Sequence, residues 1–148
     1  MEEEMIHVDI ATLRRMQEEA DKLDANFRIL SNYVDWEKIQ THRDGVESEI
    51  QWVKGILSRI ENNQKDVSRS TLHDLAKSLE TLHFKICVNP DATRDHLEFK
   101  DNRTGIENIG LVNRHLCRSN INQMRRLVNE ILGIQPPVDP DEEEEEEL

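Results

Sequence analysis

Leu13, Met16, Ala20, Leu23, Phe27, Leu30 and Val34 recur at alternating steps of three and four residues. Steps of this kind hold all seven side chains on one narrow stripe of an α-helix. The stripe predicts a helix over residues 9–34, roughly 40 Å long, with Asp9 as its cap and with Ile6 and Ile10 extending the stripe backwards.

The pattern then changes phase. Trp36, Ile39, Val46, Ile50, Val53, Leu57 and Ile60 follow a second stripe, which Arg43 interrupts. The step of five from Val34 to Ile39 breaks the helix near Asn32–Asp35 or at Asp44-Gly45. Asp44-Gly45-Val46-Glu47 has the form of a capping box and predicts a fresh start, giving a helix over 44–62. Trp52 and Ile56 widen its apolar face, which suits packing among several helices better than a two-stranded coil. After a link that starts at the polar Asn62-Asn63-Gln64, the residues Leu72, Leu75, Leu79, Leu82 and Ile86 mark a helix over 70–87, capped by Ser70 or Thr71 and ended before Pro90. Residues 88–103 read as a loop, within which Leu97 and Phe99 alternate with charges. Thr104-Gly105-Ile106-Glu107 is a further capping box, opening a helix over 104–132. Gly133 stops it and Pro136-Pro137 forbid continuation. The fold class expected is all-α: four amphipathic segments in a helical bundle or coiled-coil assembly.

Aromatic residues make up only 4% of the chain, so the core is built mainly from Leu, Ile, Val and Met. A core of that kind in 148 residues leaves a thin margin for a compact monomer and predicts dependence on a partner. The charge is confined to the ends. Of the net −12, Asp139, Asp141 and Glu142 to Glu147 contribute −8 and Glu2 to Glu4 a further −3, so residues 5–137 are nearly neutral. Residues 1–8 read as an acidic extension and 134–148 as a disordered acidic tail, since a block of like charge has nothing apolar to fold around. The amino terminus lacks the basic start of a signal peptide, no run of residues is apolar enough to span a bilayer, and Cys87 and Cys117 form no CxxC pair. The expected location is intracellular, in cytoplasm or nucleus.

Chemistry is sparse. His83 and Cys87 stand four apart on the third helix, and His115 with Cys117 are the nearest similar residues, but no short paired ligand motif supports zinc. There is no phosphate loop, nucleophile elbow, dinucleotide fingerprint or metalloprotease motif. The sequence therefore predicts no enzyme, no metal and no cofactor. Arg114, Arg118 and Arg125 fall within about 40° of one another around the last helix, beside its apolar face. They read either as a stripe that selects an acidic partner or as a solvated flank whose stems cover apolar surface. Interleaved aromatics are few and the whole chain is acidic, which disfavours nucleic acid as a partner.

In organisation the chain resembles the small helical subunits of cytoskeletal, kinetochore, transcriptional and vesicle-tethering complexes, without a motif that carries residues across. The function expected is a non-catalytic interaction subunit, a scaffold or adaptor, whose partners are other helical proteins or further copies of itself. Leu13, Met16, Leu23, Phe27, Leu30 and Val34 are the expected partner-binding seam, together with Arg114, Arg118 and Arg125. The rival expectation is an acidic chaperone that binds histones or other basic proteins through its tail.

Overall fold

The computed structural model describes residues 4–39, 42–87 and 109–134. These are mostly helical: α1 (Ile10–Leu30), α2 (Arg43–Asn62), α3 (Arg69–Cys87) and α4 (Ile109–Leu132), with two three-residue strands, β1 (Met5–His7) and β2 (Asp66–Ser68). The acidic tail, the Thr104–Glu107 capping box and the Leu97–Phe99 segment lie outside the described residues.

α1 begins where the sequence placed it, because the Asp9 carboxylate accepts from the backbone N–H groups of Ala11 (3.1 Å) and Thr12 (3.4 Å). It ends at Leu30, four residues early. Trp36 folds back there, its indole N–H donating to the Ser31 carbonyl at 2.9 Å and its ring meeting Phe27 edge-on at 6.1 Å. Val34 and Ile39 stay buried in the connecting segment, so they continue the core without continuing the helix. α2 starts at Arg43 rather than through the Asp44 capping box. His42 occupies the cap position without a side-chain bond, Val46 N–H already bonds the His42 carbonyl, and Glu47 instead pairs with Arg43 at 3.1 Å. At the far end, Gln64 and Lys65 take left-handed conformations (φ 57° and 65°), and Lys65 N–H closes on the Ile60 carbonyl at 2.8 Å. Two consecutive non-glycine residues in that region carry backbone strain.

That reversal gives the second correction. The segments read as an acidic extension and a polar link pair as antiparallel strands, with Ile6 opposite Val67 and Met5 opposite Ser68. Val8 N–H reaches the strained Lys65 carbonyl at 2.8 Å, and His7 meets Asp66 at 2.8 Å. β2 runs directly into α3, so the cap is the Ser68 hydroxyl, which accepts from Thr71 N–H at 3.2 Å, not Ser70 or Thr71. α4 ends as expected. Gly133 is left-handed (φ 71°), Gly133 N–H bonds the Glu130 carbonyl and Ile134 N–H the Asn129 carbonyl, which is the full Schellman pattern.

The helices pack in a bundle-like arrangement in which α1 lies against α2 and α4, and α3 against the same two. Cross-helix bonds fix the directions. Asp24 meets Gln51 and Lys54 while Gln17 and Arg14 meet Glu61, so α1 and α2 are antiparallel. α2 and α3 follow suit across the short β2 connection, with Glu49 bonded to Ser78. α3 and α4 are clasped at both ends. The Arg69 guanidinium donates to the Leu132 carbonyl (3.0 Å), and Arg114 donates to the Ile86 carbonyl (2.9 Å). Each cation sits at the carboxyl end of the neighbouring helix, where free carbonyls and the helix dipole favour positive charge. Between the helices lies one aliphatic core containing Leu13, Leu23, Ile50, Leu57, Leu79 and Ile121, each at most 1% exposed. Full burial of one such side chain contributes about 1.5–3 kcal/mol.

Asp24 ties α1 to α2. Burial works to raise its pKa, but hydrogen bonds from Lys54 and Gln51 and the charges of Lys54 and Arg28 outweigh it and hold the carboxyl below its ordinary value. Lys54 is pushed up, first by its bond to Asp24. Asp24 therefore contributes stability above about pH 4, lost as pH falls through its depressed folded value. Lys54 contributes at every pH below its ordinary value of about 10.5, and that is lost as pH rises through the higher folded value. The unfolding midpoint should hold between these limits and drop on the acid side, and Asp24→Asn should lower the neutral plateau and shrink the acid drop. Thermal melts from pH 2 to 8 test this; an unchanged acid limb in the variant contradicts it.

Candidate interaction surfaces

The structure turns the expected partner-binding seam inward. Leu13, Met16, Leu23, Phe27, Leu30 and Val34 are each no more than 1% exposed within the single chain. The stripe has the expected periodicity, and within the single chain it is covered. A heptad stripe is satisfied by two antiparallel neighbours of the same chain as well as by one foreign helix, and here α2 and α4 close over it.

The three arginines share a side of α4 but form no free basic stripe. Arg114 is committed to the end of α3. Arg118 is buried at 7% exposure, with a guanidinium nitrogen 2.9 Å from His115 Nδ1. Arg125 is half-buried, 3.5 Å from the Asn122 side-chain oxygen. Beside them α4 buries Asn113, Asn120, Asn122 and Asn129. Asn120 sits between helices, accepting from the Asn26 amide at 2.9 Å and donating to Glu19 at 2.8 Å. Sequence reading missed these buried amides because asparagine lies outside the apolar alphabet that reveals periodicity. The i, i+7 spacing puts Asn113 with Asn120 on one side of the helix and Asn122 with Asn129 on the opposite side.

Among the described residues, one group of exposed apolar side chains lies at one end of α4. Ile109, Val112 and Leu116 are 42%, 57% and 45% exposed, and their i, i+3, i+7 spacing puts them within about 60° of one another. The Asn26–Asn120 bond fixes how α1 lies beside this helix. Because α1 and α4 run in opposite directions, the residues after Asn26 lie alongside those before Asn120. This places Ile29, also exposed, level with Val112 and Leu116. The α1–α4 face thus presents one apolar row, flanked by the polar Asn26, Ser119 and Gln123.

The two cysteines offer no reactive group at the surface. Cys87 and Cys117 are buried free thiols. Burial, then the neighbouring Cys87, pushes the Cys117 thiol well above its ordinary range, so it is a poor thiolate source. Among the described residues no three His, Cys, Asp or Glu side chains converge to hold a metal ion, and no described helix is long and apolar enough to cross a membrane. Compared with protein-family models, curated proteins and solved structures, the chain has no match in any of the three, so its own surface carries the functional reading.

Proposed function

We propose that this chain is a non-catalytic protein–protein interaction subunit, a scaffold or adaptor that receives a helix of a partner protein on its α1–α4 face. One observation carries the reading: the row Ile109, Val112 and Leu116, with Ile29 beside it, leaves apolar surface in water although the rest of the aliphatic stripe is closed. Single exposed apolar residues are ordinary, but a contiguous row rimmed by polar groups marks a contact surface. Its helical spacing matches the i, i+3, i+7 anchors by which a helix lies in a groove between two others.

The test pairs two substitutions with a quantitative comparison. Val112→Glu with Leu116→Glu should leave the unfolding midpoint nearly unchanged, since exposed substitutions shift stability by about 0.5 kcal/mol or less. The same variant should lose at least tenfold of a defined set of proteins that co-purify with the native chain. A chain lacking residues 138–148 should keep that set; its loss would instead favour a tail-dependent chaperone for basic proteins. Retention of every partner by the double variant contradicts the proposal.

A further inference from the structure

On the α2–α3 face, across the core from the apolar row, a second feature stands apart. Among the described residues, the carboxylates that bridge helices come with strong donors. Asp24 has Lys54, Gln51 and Arg28, Glu61 has Arg14 and Gln17, and Glu19 has Asn120 and Lys22. Glu49 differs. It is half-buried, its Oε1 accepts one hydroxyl bond from Ser78 at 2.6 Å, and no described cation lies within ion-pair distance. Its carboxylate therefore has acceptor capacity left at the protein surface, where a charged donor makes a stronger bond than a hydroxyl does.

Glu49 lines an open cleft of about 430 Å³, between α2 and α3. Trp52 forms one wall, with its indole 40% exposed, and Asp74 and Lys77 stand on the opposite wall. The lining carries two carboxylates against one ammonium, so it favours a cation. The aromatic wall narrows the choice. A guanidinium is planar, stacks on an indole face and offers a carboxylate two parallel N–H bonds, whereas an ammonium is a strongly hydrated point charge.

We propose that this cleft is a recognition pocket for an arginine side chain of a basic partner segment. Glu49 takes the guanidinium edge, Trp52 stacks on its face and Asp74 receives the outward N–H groups. The pocket is independent of the α1–α4 contact and lies on a different pair of helices.

The probe is the blocked tripeptide acetyl-Gly-Arg-Gly-amide, titrated into the full chain while the two tryptophan indole N–H signals are followed by NMR. The Trp52 signal should shift saturably with a millimolar Kd, while the Trp36 signal, whose N–H is bonded to Ser31, stays put. The matched peptide with citrulline, isosteric but uncharged, should not bind, and the lysine peptide should bind more weakly. Glu49→Gln keeps an acceptor for Ser78 yet should weaken binding about tenfold, equivalent to about 1.4 kcal/mol, with an unchanged melting temperature. Lys77→Met should tighten binding by removing the competing charge. Equal shifts with the arginine and citrulline peptides, no saturable shift, or full binding by a folded Glu49→Gln variant would each overturn the proposal.

Discussion

Leu23→Asp should unfold the chain. Leu23 is completely buried at the centre of the α1 stripe, so the substitution removes an aliphatic side chain and forces a carboxyl into a site with no partner. A cavity alone costs about 2–5 kcal/mol, and the unpaired polar group adds about 1–3 kcal/mol. The sum is comparable to the whole stability of an ordinary domain, about 5–15 kcal/mol. Leu116→Asp, on the exposed row, should shift stability by about 0.5 kcal/mol or less. Urea denaturation followed by circular dichroism separates the two. Comparable losses from both would mean that the α1 stripe is not the interior of this molecule.

Reversing Arg114, Arg118 and Arg125 to Glu should be nearly as damaging. A solvated stripe would tolerate the exchange, because Arg and Glu are both good helix formers. The structure places these residues otherwise. Glu at 114 sets a carboxylate against the Ile86 carbonyl and the negative end of α3 in place of a charge-assisted bond, and Glu at 118 buries a negative charge where a guanidinium meets His115. Losing one such charged hydrogen bond costs about 1.5–3 kcal/mol. Single variants should rank Arg118→Glu as most harmful and Arg125→Glu as least. Melting temperatures check the order; a triple variant that melts like the native chain contradicts the clasp between α3 and α4.

What could be read from the chain beforehand follows the physics of each feature. The stripes of α1, α2 and α3 were legible because burying Leu, Ile and Val at helical spacing is a local, periodic demand, and so were the Asp9 cap and the Gly133 stop. The partner of each stripe was not, since a heptad looks the same against a helix of its own chain or of another. The β1–β2 pair was hidden because three-residue strands give no usable alternation, and its turn uses Gln64 and Lys65 where glycine would have announced a left-handed bend. The Arg69 and Arg114 clasp depends on contacts between distant residues, 63 and 28 positions apart, which no spacing rule encodes. The exposed row was visible only once the buried side of α4 was known.

The heptad stripes close on one another inside a single chain, and the proposed function leaves the α1–α4 row for a partner. The dependence of thermal unfolding on protein concentration tests that closure most directly, because an assembly held by those stripes gains stability by mass action and a self-contained core does not. Melts at about 1 µM and about 100 µM should superimpose, with one cooperative transition at the same midpoint. A midpoint that climbs by several degrees across that range would contradict the account and return the Leu13–Val34 stripe to an interface between chains.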